Sequence, residues 1–192
     1  MSKPKISREI LSKKAADIFR TKGYRGTSVQ DIADACQLSK ASVYHHISSK
    51  ETLALDLVRE LRLHYRNQIF SVVFNSQLSG PQRMERFFLT LAKYYQEDAE
   101  SCLLKKFLGE LNPQDGALWD EVKNYAEEFV ETIMNFLPEK KIDERRGQAI
   151  RIFSLIQGYL LLNKIWPGAK TIEALNRFCQ DLYNKPEMVA GG

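Results

Sequence analysis

Five side chains within seven residues are equipped for polar chemistry: Lys40, Ser42, Tyr44, His45 and His46. A cation, two hydroxyl groups and two imidazoles are the groups that contact phosphates and base edges in a DNA major groove. They follow Ser39, a helix-capping residue, and read as a helix from Lys40 to about His46. So short a helix is unstable alone. It must lean inward through Val43, with Ile47 closing the turn behind it, which leaves its outer face available. The element before it begins at Thr27, where Thr27 and Gln30 have the T-x-x-Q spacing of a capping box. Ile32, Ala33 and Cys36 give it an apolar face at helical spacing, and Gln37-Leu38-Ser39 breaks that pattern. Ser49 caps a third helix with Lys50 in its first turn, where a cation opposes the helix dipole and implies an anion nearby. Two roles for Thr27 stand side by side: a helix cap, and a helix start whose backbone N–H groups hold a phosphate.

The elements that position these residues repeat a helical pattern. Leu11, Ala15, Ile18 and Phe19 form one stripe from about Ser7 to Lys22, stopped by Gly23, and this helix braces the two behind it. Tyr24 and Gly26 make the turn that presents Thr27 and Ser28. From Lys50 to about Val73 the residues Leu53, Leu57, Leu61, Tyr65, Ile69 and Val72 mark a long helix. No flexible linker follows the N-terminal part, so a rigid helix shared with the rest of the chain can act as a lever.

The run from Ile10 through Leu53 resembles the DNA-binding domain of the TetR family of bacterial transcriptional regulators. The resemblance is carried by Ala15, Phe19, Gly23-Tyr24, Gly26-Thr27-Ser28-Val29, Asp31-Ile32-Ala33, Leu38-Ser39-Lys40, Ser42-Val43-Tyr44-His45-His46 and Ser49-Lys50-Glu51. Ala41 stands where that family often has Gly, and Ile47 where it usually has Phe. The resemblance implies an all-α fold of about nine helices. Residues 1–49 would form a three-helix helix-turn-helix domain and residues 50–192 a helical ligand-binding and dimerisation domain. It further implies a homodimer on a palindromic double-stranded operator, released by a small hydrophobic or aromatic effector. Thr27, Ser28, Lys40, Ala41, Ser42, Tyr44, His45, His46 and Lys50 would face the DNA. No cofactor, metal ion or catalytic residue is implied.

Composition agrees. The chain has 192 residues, ten glycines and six prolines, scattered between long helical-period stretches, and this favours an all-α fold. The net charge of +4 is uneven: residues 1–50 carry ten Lys and Arg against four Asp and Glu, so the basic character suits a polyanion at that end. Three separated cysteines, an odd count without C-x-x-C spacing or a signal peptide, point to a reducing cytoplasm. No stretch is apolar enough to span a bilayer, so no membrane partner is expected.

Helices are further expected from Pro81 to about Ala99, Cys102 to Leu111, Gln114 to Phe136, Asp143 to Ile165 and Thr171 to Asn184. Their aromatic faces are compatible with a packed core or a cavity wall, and the family resemblance favours the cavity. Its lining would draw on Tyr65, Phe88, Tyr95, Cys102, Phe107, Glu110, Trp119, Tyr125, Phe129 and Gln157. The S-C-L-L…G-E segment around Cys102 resembles a subgroup of the family. A thiol at a helix start is either an activated thiolate, which makes a redox-sensing regulator the alternative, or a small buried hydrophobe. Apolar residues in the last two helices exceed what one core face needs, which suggests a partner surface. The family resemblance makes it a dimer interface, with Phe153, Ile156, Leu160, Leu161, Leu175, Phe178 and Leu182 as candidates. A helical enzyme is the less favoured reading: G-x-G-x-x-G, P-loop, H-E-x-x-H and G-x-S-x-G motifs are missing from the sequence.

Overall fold

The computed structural model describes residues 6–97, 101–139, 141–162, 165, 176–177 and 180–181. Among them are eight α-helices and no strand, an all-α fold. The helices are α1 Arg8–Lys22, α2 Val29–Cys36, α3 Lys40–Tyr44, α4 Lys50–Gln68, α5 Gly80–Glu97, α6 Ser101–Glu110, α7 Gly116–Met134 and α8 Ile142–Leu162. Short 3-10 helices at Phe70–Phe74 and Pro113–Asp115 follow α4 and α6. The helix expected over 171–184 lies largely outside the described residues. No described helix is long and apolar enough to cross a membrane.

The chain divides into two compact units: Met1–Leu63 with Asp98–Asn124, and His64–Glu97 with Tyr125–Gly192. Helices α4 and α7 each start in the first and end in the second.

In the first unit, α1 starts where the Ser7 hydroxyl accepts from the Ile10 N–H, and it buries Leu11, Ala15 and Phe19 completely. It ends at Gly23, which has φ +78° and whose N–H donates to the Phe19 carbonyl at 2.9 Å. A Cβ on Gly23 would stand 1.8 Å from the Glu110 Oε1, the movable tip of a side chain, so it is the backbone angle that calls for glycine. Lys14 pins α1 to α2 by donating to the Ala35 carbonyl at 2.6 Å, and Arg8 pairs with Asp56 of α4 at 2.5 Å. Phe107 of α6 is fully buried with its ring edge-on to Phe19 and Tyr24, 5.6 and 5.8 Å between centroids. Burying such an aromatic side chain contributes on the order of 1.5–3 kcal/mol.

Two helix starts differ from the sequence expectation. The α2 cap is Ser28 and not Thr27: the Ser28 hydroxyl accepts from the Asp31 N–H, and the Asp31 carboxylate accepts from the Ser28 N–H at 2.7 Å. Aspartate reaches back as glutamine would, so the box is shifted by one residue. The α7 helix starts at Gly116, later than expected, because Asn112 and Asp115 close a capping box around the 3-10 turn first. At its far end α4 stops at Gln68, and the expected extension to Val73 tightens into the 3-10 helix.

The second unit is built on buried aromatic and aliphatic side chains of α5, α7, the turn after α7, and α8: Met84, Phe87, Phe88, Leu91, Phe129, Ile133, Phe136, Ile152 and Ile156. Phe87 stands edge-on to Phe88 and Phe129, and Phe129 packs on Phe153 at 4.9 Å.

Candidate functional site

Helices α2 and α3 are joined by a turn with a left-handed residue, Gln37, at φ 55°. The Leu38 N–H returns to the Ala33 carbonyl at 2.9 Å and the Gln37 N–H to Asp34 at 3.0 Å, a closed helix end. Ser39 then starts α3 by accepting from the Ser42 N–H at 3.1 Å, and the Ser39 and Ser42 hydroxyls meet at 2.8 Å. The helix spans five residues and not seven, so His45 caps it and His46 follows. Val43 is fully buried and Ile47 is 4 % exposed, which anchors the helix inward as expected. Lys40, Ala41, Tyr44 and His45 are exposed, while Ser42 and His46 are half-buried. One cation, a phenol and an imidazole therefore share the outer surface of a helix held at a fixed angle.

The structure places Thr27 and Lys50 differently from that surface group. Thr27 is 2 % exposed, and its hydroxyl donates to the Gly23 carbonyl at 2.6 Å. Its role is to close the α1–α2 turn. The Lys50 ammonium donates to the Tyr24 and Thr27 carbonyls, both at 2.8 Å, and lies 4.3 Å from the centre of the Tyr24 ring. Burial lowers the Lys50 pKa, the nearby Arg25 adds to this, and Glu110 opposes it. Two carbonyls and an aromatic face thus supply the negative potential that the sequence pattern assigned to an external anion. Ser28 remains exposed beside this turn.

Arg25 has no place in the sequence reading, yet it ties this turn to the α6 end. Its N–H donates to the Glu110 carboxylate and its Nε to the Glu110 carbonyl, each at 3.2 Å, while Nη2 donates to both Asp115 oxygens at 3.0 and 2.7 Å. No local pattern signals a partner 85 to 90 residues away.

The ten residues expected around an effector are drawn from both units. Phe107, Glu110 and Trp119 belong to the first unit, with Phe107 and Glu110 packed on the α1–α2 turn. Cys102 lies on α6, and its side chain is outside the described residues. In the second unit Tyr65, Tyr95, Tyr125 and Phe129 come together, joined by Tyr94, which the sequence reading omitted. The Tyr65 hydroxyl donates to that of Tyr95 at 3.3 Å, and the Tyr65 ring lies 5.0 Å from Tyr94 and 5.2 Å from Tyr125. Burial raises the pKa of Tyr65 and Tyr125 well above the ordinary phenol value, and neighbouring tyrosines add to it. Phe88 sits with Phe87 and Phe136. The Gln157 Nε2 is buried and has no acceptor among the described residues.

Among the expected partner-surface residues, Ile156 is 1 % exposed and is a core residue of its own unit, a correction that follows from the α8 face carrying Gln148, Ala149, Ile152 and Ile156 inward. Phe153 and Leu160 are half-buried and Leu161 is 57 % exposed. Ile150, Leu155 and Leu162, unnamed from sequence, are exposed with it. Leu175, Phe178 and Leu182 lie outside the described residues.

Residues 11–57 match the model of the bacterial regulatory proteins of the tetR family. A transcriptional repressor of the helix-turn-helix type, DhaR of Mycobacterium sp. (strain GP1), is 26% identical over 132 residues, which cover 69% of this chain and 66% of that protein. The fold is similar to that of a TetR transcriptional regulator from Legionella pneumophila, with TM-score 0.75, 22% identity and coverage of 94% of this chain and 98% of that one. It is also similar to that of AibR in complex with isovaleryl coenzyme A and operator DNA, with TM-score 0.63, 22% identity and coverage of 88% and 94%. Residues 11–57, which carry most of α1, all of α2 and α3 and the start of α4, thus form a domain of the kind found in the tetR family of bacterial regulatory proteins.

Proposed function

We propose that the chain is a ligand-responsive transcriptional repressor that binds a palindromic operator as a homodimer. The observation that carries this reading is α3: Lys40, Tyr44 and His45 exposed on a helix whose Val43 and Ile47 are locked into the core. Lys40, Ser42 and His46 contact base edges and adjoining phosphates, while Tyr44, His45 and Ser28 clamp the backbone. A twofold dimer sets two such helices into successive major grooves. The outward Leu155, Leu161 and Leu162 of α8 meet their twofold mates. The effector is small and hydrophobic or aromatic, and the buried Gln157 Nε2 supports a polar acceptor on it. It releases the operator by binding better to a form with wrongly spaced recognition helices.

The test is selection of bound fragments from genomic DNA at about 150 mM salt, which suppresses purely ionic binding. One palindromic site is expected, and Lys40→Ala should reduce the salt slope by roughly one unit. An intact dimer that prefers no sequence, even after unfolding and refolding to strip bound effector, would sink the proposal.

A further inference from the structure

Between residues 6 and 63 the described cations of the first unit are, with one exception, held inside it. Arg8, Lys13, Arg20, Lys22 and Arg25 each pair with an Asp or Glu, and Arg59 and Arg62 share Glu121. Lys14 and Lys50 donate to backbone carbonyls. Lys40 is the exception: it is exposed at the start of α3, and among the described residues it has neither a hydrogen-bond nor an ion-pair partner. Ala41 follows it and is also exposed. A charged tip and a bare methyl group are thus the first two side chains of a helix that the buried Val43 fixes from inside.

A cation already paired gives up a contact to reach DNA, and Lys40 gives up none. Its ammonium carries three donors and no acceptor. In the major groove guanine presents two adjacent acceptors, N7 and O6, whereas adenine sets an N–H donor beside its N7 and cytosine offers a donor. Thymine presents one acceptor, O4, beside its methyl group. Guanine therefore takes two bonds from the ammonium where the other bases take one or none. A methyl side chain has no hydrogen bond to give, and its complement in the groove is the thymine methyl. The residues at the start of a recognition helix are those that reach base edges. Resting on the repressor reading, we propose that α3 reads a guanine through Lys40 and the methyl of a thymine on the neighbouring base pair through Ala41, so that each operator half-site holds a G·C pair next to an A·T pair.

The test is selection from a randomised duplex library by the full chain and its variants, at about 150 mM salt. The wild-type half-site should hold a fixed G·C pair beside an A·T pair, and changing that guanine to adenine should weaken binding about tenfold or more. Lys40→Gln should select adenine at the same position, since glutamine pairs with adenine N6 and N7, and a misfolded variant cannot gain a new preference. Lys40→Ala should lose the preference at that pair and keep the rest of the site. Replacing the neighbouring thymine by deoxyuridine, which lacks the methyl, should weaken wild-type binding several-fold and leave Ala41→Gly indifferent. Half-sites in both Lys40 variants identical to the wild type's would overturn the proposal, assign Lys40 to a phosphate and leave the repressor reading intact. Loss of binding to every sequence in both variants would overturn it as well, and a deoxyuridine effect that persists in Ala41→Gly would overturn its thymine half. A wild-type chain that prefers no sequence would remove the repressor reading itself, and this inference with it.

Discussion

At the scale of single residues, the capping of α2 turns on one position. Ser28→Ala should cost about 1 kcal/mol in urea unfolding, whereas Gln30→Ala should cost no more than a few tenths, since its amide reaches only the Asp34 carboxylate within the helix. The opposite ranking would restore Thr27 and Gln30 as the cap. Asp31 adds a pH signature. The Lys22 ammonium, and then Ser28, hold its carboxyl well below its usual value of 3.8. A depressed carboxyl stabilises the fold above its unfolded pKa, and that contribution fades as the pH falls below about 3.8. Asp31→Asn should therefore flatten the acid limb of a stability profile. The capping pattern was legible in sequence to within one residue, because Thr27 and Ser28 are both capping types and Gln30 and Asp31 both reach back. What decided between them was the Thr27 hydroxyl turning inward to the Gly23 carbonyl, a contact no spacing rule contains.

At the scale of elements, apolar spacing located the helices well. Leu11, Ala15 and Phe19, or Val43 and Ile47, are inward where the pattern put them. Legibility failed where an element's end is decided by a distant one. The Lys50 cation looked unpaired because Tyr24 and Thr27 lie more than twenty residues before it. Glu110 looked like a pocket residue because nothing near it announces Gly23 or Arg25. The same clamp yields a prediction. Gly23→Ala must tolerate φ +78° and displace the Glu110 carboxylate, so it should lower stability by more than about 1 kcal/mol. Arg25→Ala should cost about 1 kcal/mol, since its charge is half exposed. Thermal unfolding of both variants checks the ranking, and an unperturbed Gly23→Ala would remove the clamp from the account.

At the scale of the whole molecule, the aromatic residues that sequence reading gathered into one lining are shared out between two units. Helical periodicity tells which face is apolar but not which apolar faces meet, so Phe107 and Tyr125 were indistinguishable beforehand. The tyrosine cluster is open to a direct measurement. Tyr65 and Tyr125 have raised pKa values, so their stabilising contribution is present below the ordinary value of 10.0 and is lost as the pH rises above it. In an alkaline absorbance titration, two of the eight tyrosines should ionise only as the chain unfolds. Smooth ionisation of all eight in the folded protein would remove those two from the buried network. The bond between Arg25 and Glu110 also bears on the order in which the protein is made. At synthesis rates of about 5–20 residues per second, the first helices wait roughly 4 to 17 seconds for α6 to emerge, and until then the Phe19 ring lacks its Phe107 cover. The N-terminal helices are therefore a poor candidate for transplantation as a module: cut free at residue 63, they would carry an apolar scar where α6 belongs.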